Sequence, residues 1–185
     1  MAIGTPFPEV LSAAQAGAPW AFEALYRDLA PSVTGYLRLH GALEPDDLAS
    51  ETFIGLFTGL SSFEGDEGAL RAWVFTIAHR RLVDDWRRRS RRPQTSGSDE
   101  DLLGGTVGGN VEEDALVLLG SSAVEQLCAS LPDDQRSVLL MRIVADLSLE
   151  QVAAAMGRSV AAVKALQRRG LLTLRSELER TGAPL

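Results

Sequence analysis

Apolar residues return at helical spacing over most of the chain. Phe22, Leu25, Tyr26 and Leu29 stand at i, i+3, i+4 and i+7, and Phe53, Phe57 and Leu60 repeat the interval. Such spacing draws one apolar stripe along an α-helix. No run alternates with period two over the length of a strand. Pro31, Pro45 and Pro132 fall where helices are expected to start, because a proline in the first turn gives up an N–H that has no intrahelical partner. The pattern predicts an all-α protein without internal repeats.

The periodicity stops at Pro93–Asp114, PQTSGSDEDLLGGTVGGNVEED, where Gly, Ser and acidic residues alternate without a helical or strand period. That composition reads as a linker. It divides the chain into two small helical domains, residues 1–92 and 115–185, joined by a flexible acidic tether over 93–114.

Leu147–Leu174 carries the sharpest local signal. Ser148 and Gln151 form an S-x-x-Q capping box, and Leu147 with Val152 occupies the two places of a hydrophobic staple, so a helix is predicted to start at Ser148. Leu149, Val152, Ala153 and Met156 supply its buried face, and Gly157 suits the left-handed residue past its end. Ser159 then caps a second helix. Two short helices around a glycine turn make a helix-turn-helix. On a wheel of the second helix, Val160, Val163, Leu166, Gly170, Leu171 and Leu174 share one side, and Lys164, Arg168, Arg169, Ala161 and Ala165 the other. Small residues let a helix approach the major-groove floor while long cations reach phosphates and guanine edges. Lys164, Arg168 and Arg169 are the candidates for duplex contact on this side, and no acid interrupts the stretch from Arg158 to Arg169.

Residues 70–92, LRAWVFTIAHRRLVDDWRRRSRR, form a second basic helix in which Trp73 and Ile77, and Leu82 and Trp86, pair at i+4. Cations beside aromatic rings suit bases exposed from the stack, although tryptophans at this spacing also serve as core.

Charge sharpens the division. The 185 residues hold 18 basic and 25 acidic side chains, a net charge of −7. Residues 1–70 carry 2 basic and 10 acidic side chains, 71–92 carry 8 and 2, 93–130 carry 0 and 7, and 131–185 carry 8 and 6. An acidic total argues against nucleic-acid binding only if charge is evenly spread, and here it is segregated. No stretch approaches ~18 uninterrupted apolar residues, so no membrane insertion is expected, and Met1–Gly17 lacks the basic start of a secretory signal. Cys128 is the single cysteine, which leaves no disulfide framework and no cysteine zinc site within one chain. A cytoplasmic protein without metal or cofactor is expected. Catalytic residues are not found either. Cys128 has no local histidine, His40 beside Gly41 reads as a turn residue, and no glycine-rich phosphate loop, HExxH or paired-carboxylate motif is present.

The order of these parts resembles an extracytoplasmic-function (ECF, group 4) sigma factor of the sigma-70 family, the promoter-recognition subunit of bacterial RNA polymerase. WAFEALYRDLAPSVTGYLRL (20–39) resembles the first helix pair of the family's domain 2, and PDDLASETFIGLF (45–57) is similar to the helix that binds the clamp of the polymerase β′ subunit. RAWVFTIAHRRLVDDWRRRSRR resembles the strand-opening and minus-10-reading helices. LPDDQRSVLLMRIVADLSLEQVAAAMGRSVAAVKALQRRGLLTLRSEL resembles domain 4, which reads the minus-35 element.

The resemblance implies residue roles. Polymerase contact falls on Asp47, Ser50, Glu51 and Thr52, taken as the exposed face of their helix. Minus-10 contact falls on Ser62, Phe63, Trp73, His79, Arg80, Arg81, Arg87 and Arg88, with the loop Ser61–Gly68 (SSFEGDEG) matching the place where the family captures a flipped base. Minus-35 contact falls on Arg158, Ser159, Lys164, Arg168 and Arg169. Domains 1–92 (domain 2) and 115–185 (domain 4), polymerase core with its β′ clamp helices and β flap, promoter DNA and an anti-sigma factor are the implied divisions and partners. The linker is expected to thread the polymerase channel. The chain departs from the family at Ser50, where Gln is common, at His79, where Asn is frequent, and in the acidity of Glu64, Asp66 and Glu67. A free-standing helix-turn-helix regulator acting without polymerase is the other reading the residues allow.

Overall fold

The computed structural model describes residues 6–91 and 122–181, and these are helical without any strand. The linker of residues 93–114 lies outside them. Helices α1 (Phe7–Gln15), α2 (Pro19–Leu39) and α3 (Pro45–Gly59) lead through a short 3-10 turn, Leu60–Ser62, into the long α4 (Glu67–Arg91). The second half comprises α5 (122–129), α6 (Asp133–Ile143), α7 (Leu149–Met156) and α8 (Val160–Thr181).

In the first half α2, α3 and α4 pack on one another, and α1 closes the side of α2. Leu25, Val33, Tyr36 and Leu37 of α2 meet Leu56 of α3 and Leu70, Phe75 and Leu82 of α4, all essentially without solvent exposure. Pro45 opens α3 as its residue type predicts, and Pro132 is the cap of α6. Pro31 does not start a helix: α2 runs through it. Proline has no N–H to give the Arg27 carbonyl, a defect of about 3 kcal/mol in a free helix. Leu25, Leu29 and Ala30 before it and Val33, Tyr36 and Leu37 after it are all buried on one stripe, and at roughly 1.5 to 3 kcal/mol per large side chain that burial outweighs the defect.

In the second half α8 lies across α6 and α7. Gly170 makes that crossing close: a Cβ built there would stand 2.8 Å from Leu139 Cδ1 and 3.3 Å from its Cγ. Leu171, placed on the buried side by the wheel, is 50% exposed. The reason is angular: on α8 Leu171 falls beside Lys164, well round from Val163, Leu166 and Gly170, and lines the exposed side with Lys164 and Arg168.

The two halves share one continuous apolar cluster, and α7 packs directly against α4. Polar ties cross the same seam. Gln151 Nε2 donates to the Gly68 carbonyl (3.3 Å), and Arg136 Nη1 donates to the His40 carbonyl (3.4 Å).

Candidate nucleic-acid interface

The helix-turn-helix forms as its sequence dictates. The Ser148 side chain accepts from the Gln151 N–H (3.2 Å), and the Ser148 N–H donates to Gln151 Oε1 (2.7 Å). Gly157 ends α7 in the left-handed region at φ 62, and the Ser159 hydroxyl oxygen accepts from the Ala162 N–H (3.2 Å). Val163 and Leu166 turn inward while Lys164, Arg168 and Arg169 project to solvent beside exposed Ala161 and Ala165. Arg158 is exposed in the turn and pairs with Asp134 of α6 at 2.5 Å. The exposed side of α8 is therefore cationic at its tip and floored by small residues, the shape that fits a groove.

On α4, Arg80, Arg81, Arg87 and Arg88 are exposed. Several carry carboxylate neighbours: Arg87 with Asp84 (3.7 Å), Arg88 with Asp85 (3.5 Å), and Arg81 with Glu51 of α3 (3.6 Å). Exposed pairs of this kind are worth about 0 to 1 kcal/mol, so phosphates can replace the carboxylates at little cost. His79 is largely buried. Its Nδ1 lies 3.0 Å from the Tyr36 hydroxyl, and burial lowers its pKa, with Asp134 opposing and Arg158 reinforcing the shift.

The loop before α4 is built around two rings. Phe63 stacks on Trp73 with centroids 5.3 Å apart and planes within 4°. Neither tryptophan of α4 is fully buried: Trp73 faces the loop, and Trp86 packs near His40, 5.6 Å between ring centroids. Ser62 is exposed and its hydroxyl donates to the Gly59 carbonyl (3.1 Å). Asp66 caps α4 by accepting the Ala69 N–H at 2.7 Å.

On α3, Asp47 and Ser50 are exposed and Glu51 half-exposed. Thr52 is not on that face. It is fully buried, and its hydroxyl donates to the Leu48 carbonyl at 2.7 Å. The reason is angular: at 100° per residue Thr52 falls beside Leu48 and Leu56, on the core stripe. Ile54, 67% exposed, takes its place in the row with Asp47, Ser50 and Glu51. Its position three and four residues after Glu51 and Ser50 was the available signal. His40 is likewise more than a turn residue. It ends α2 with its ring 2% exposed against Tyr36 and Trp86, and neither ring nitrogen has a hydrogen-bond partner among the described residues.

The structure brings the two basic surfaces together. A cleft of about 610 Å³ separates His79, Arg80, Val83, Asp84 and Arg87 of α4 from Asp134 and the Met156–Arg158 turn. Among the described residues no three His, Cys, Asp or Glu side chains assemble into a possible metal site, and no helix is long and apolar enough to cross a membrane.

The model of sigma-70 region 2 matches residues 25–92, and the model of sigma-70 region 4 matches residues 128–176. The chain is 30% identical over 163 residues to RNA polymerase sigma factor YlaC of Bacillus subtilis, covering 87% of this chain and 94% of that protein. It is 32% identical over 168 residues to ECF RNA polymerase sigma factor BldN of Streptomyces coelicolor, covering 90% of this chain and 63% of that one. Its fold matches the structure of CnrH in complex with the cytosolic domain of CnrY at a TM-score of 0.68, with 21% identity over 94% of this chain and 97% of the other.

Proposed function

The chain belongs to the ECF RNA polymerase sigma factors of the sigma-70 family, and from that premise we propose how its two halves divide promoter recognition. Residues 1–92 act as domain 2, residues 93–114 as the tether through the polymerase channel, and residues 115–185 as domain 4. Asp47, Ser50, Glu51 and Ile54 of α3 meet the β′ clamp helices. Arg80, Arg81, Arg87 and Arg88 hold minus-10 phosphates, and Phe63 with Trp73 receives an unstacked base. His79 joins them once the cleft opens. Arg158, Ser159, Lys164, Arg168 and Arg169 dock in the minus-35 major groove, and domain 4 also meets the β flap. The chain works without catalysis of its own, in the cytoplasm, and an anti-sigma factor covers these faces when it is silent.

The single observation that carries this division is the solvent-facing row Lys164, Arg168 and Arg169 on a helix whose start is set by the Gly157–Ser159 turn. Elements named minus-10 and minus-35 lie about 25 base pairs apart, roughly 85 Å of duplex at 3.4 Å per pair. α4 and α7 are in contact. The halves therefore part when both elements are read.

Replacing Lys164 and Arg168 by Ala is expected to weaken binding to minus-35 duplex and to flatten its salt dependence by about two phosphate contacts, with core polymerase affinity unchanged. Replacing Asp47 and Glu51 by Ala does the reverse. Fluorescence anisotropy with duplex DNA and with purified core reads both, and equal loss of the two affinities in either variant refutes the division.

A further inference from the structure

Gln15, the last residue of α1, reaches across to the loop that precedes α4. Its side-chain Nε2 donates to the Leu60 carbonyl at 3.1 Å and to the Phe63 carbonyl at 2.8 Å, positions 45 and 48 residues further along the chain. Leu60 and Phe63 bracket the 3-10 turn, and the Phe63 N–H returns to the Leu60 carbonyl at 3.0 Å. One carboxamide thus fixes both ends of the turn that presents Phe63. The rings have little freedom of their own. A Cβ at Gly59 would stand 2.9 Å from Trp73, and one at Gly65 2.9 Å from both Phe63 Cζ and Ala69 Cβ. Phe63 and Trp73 are therefore wedged between two bare stretches of backbone. The height of Phe63 over Trp73 follows the main chain, and Gln15 ties that main chain to α1.

We infer that Gln15 is a positioning residue for minus-10 specificity: its carboxamide, by holding the Leu60 and Phe63 carbonyls, sets the shape of the loop that receives the unstacked base. The inference rests on the reading of residues 61–68 as that loop. Gln15 lies ahead of residue 25, where the region 2 match begins. It places a specificity element in the helix upstream. The chemistry is that of a donor. Two carbonyl oxygens accept from one NH₂ group, so a carboxylate of the same shape offers only lone pairs to both and drives them away. A lysine ammonium restores donors at similar reach. Gln15 is solvent-exposed, so neither change buries a charge.

The test uses full-length protein reconstituted with core polymerase on a promoter pool randomised across the minus-10 element, with run-off transcripts sequenced. Gln15→Glu is expected to lower the enrichment of preferred minus-10 sequences about five-fold, because the two carbonyls lose their shared donor. Core affinity stays at the wild-type value, and Gln15→Lys recovers most of the enrichment. Phe63→Ala tests the underlying reading. If Phe63→Ala abolishes enrichment while Gln15→Glu retains it, the role of Gln15 is overturned and the loop reading stands. If Glu and Lys at position 15 lose enrichment equally, the donor is not responsible and the inference falls. If Phe63→Ala leaves enrichment intact, the loop reading fails and takes the inference with it.

Discussion

Gly170 and Gly35 both sit inside helices, and the same substitution at each is expected to act with opposite sign. In a helix interior Gly is about 1 kcal/mol less favourable than Ala, because it surrenders more backbone freedom on folding. Nothing stands within 4 Å of a Cβ built at Gly35 in α2. Gly35→Ala should therefore stabilise the protein by about 1 kcal/mol. At Gly170 the added methyl enters the crossing of α8 with α6, 2.8 Å from Leu139 Cδ1, 3.3 Å from Leu139 Cγ and 3.4 Å from Gln135 Cβ. Leu139 is only 3% exposed, so its side chain has no free volume into which to turn. Overpacking a close-packed site costs about 1 to 3 kcal/mol, which exceeds the propensity gain and leaves Gly170→Ala about 1 kcal/mol less stable than wild type. Urea unfolding followed by circular dichroism at 222 nm measures both on one scale. In thermal melts the midpoints should move about 2 to 4 °C per kcal/mol in opposite directions. A Gly170→Ala protein stabilised as much as Gly35→Ala would show that α8 does not rest on Leu139 as described, and the aim of Lys164 and Arg168 would have to be rebuilt with it.

Arg136 is 12% exposed in its side chain and spends its guanidinium on main-chain oxygens: Nε to Cys128 (2.6 Å), Nη2 to Leu131 (2.9 Å) and to Ala129 (3.2 Å). Arg136→Ala should cost about 3 kcal/mol in urea unfolding, with Arg136→Lys recovering less than half, since an ammonium lacks the planar fork; a cost under ~1 kcal/mol would contradict the assignment. His40 predicts an acid-labile fold. Burial, then the Arg136 charge, then His79 lower its pKa to about 3, so the folded state binds fewer protons than the unfolded one below pH ~6.5. The contribution is complete above pH ~6.5 and is lost as pH falls toward 3, amounting to about 2 kcal/mol between pH 6.5 and 5. Tyr36, Trp86 and Arg136 lie against the ring and take no proton from it at those pH values, while His79, beyond the Tyr36 hydroxyl, has its own pKa lowered by burial and adds to the slope in the same direction. His40→Gln should flatten the urea midpoint against pH over this window, and an unchanged slope would place the titration elsewhere.

What was legible in the sequence was local. Ser148, Gln151, Gly157 and Ser159 specify the helix-turn-helix through bonds that span three or four residues, and each bond is present. The all-helical architecture followed from spacing in the same way. Some misplacements arose where a position is decided by something distant, others from reading a helix face too broadly. Pro31 continues a helix because buried residues flank it on both sides, whereas Thr52 stands about 100° round from Glu51 and Leu171 falls beside Lys164, angles that the helical wheel itself contains. Gln15 offered no signal at all, since its partners are 45 and 48 residues away. The seam between the halves is of the same kind: Gln151 to Gly68 and Arg136 to His40 join segments 83 and 96 residues apart.

Folding also changes the meaning of the charge map, within each half. Segregated blocks suggest basic DNA-facing helices and acidic segments that work apart. In the folded chain Arg81 pairs with Glu51, Arg87 with Asp84, Arg88 with Asp85 and Arg158 with Asp134. Each predicted phosphate contact in these pairs already has a carboxylate as its counterion. Binding DNA then exchanges one anion for another and releases less mobile salt than a bare cation would, which lowers both affinity and salt slope for any single contact. Lys164, Arg168 and Arg169 stand on the opposite side of this balance, exposed on an acid-free stretch from Arg158 to Arg169. Under the proposed division of roles, domain 4 then carries the stronger intrinsic attraction for duplex, and domain 2 draws on the unstacked base at Phe63 and Trp73 for what its paired arginines withhold. On that division a chain with net charge −7 favours melted promoter DNA held on polymerase, because several cations of the helix that meets the melted strand already have carboxylate partners and the base exposed on opening supplies the additional contact.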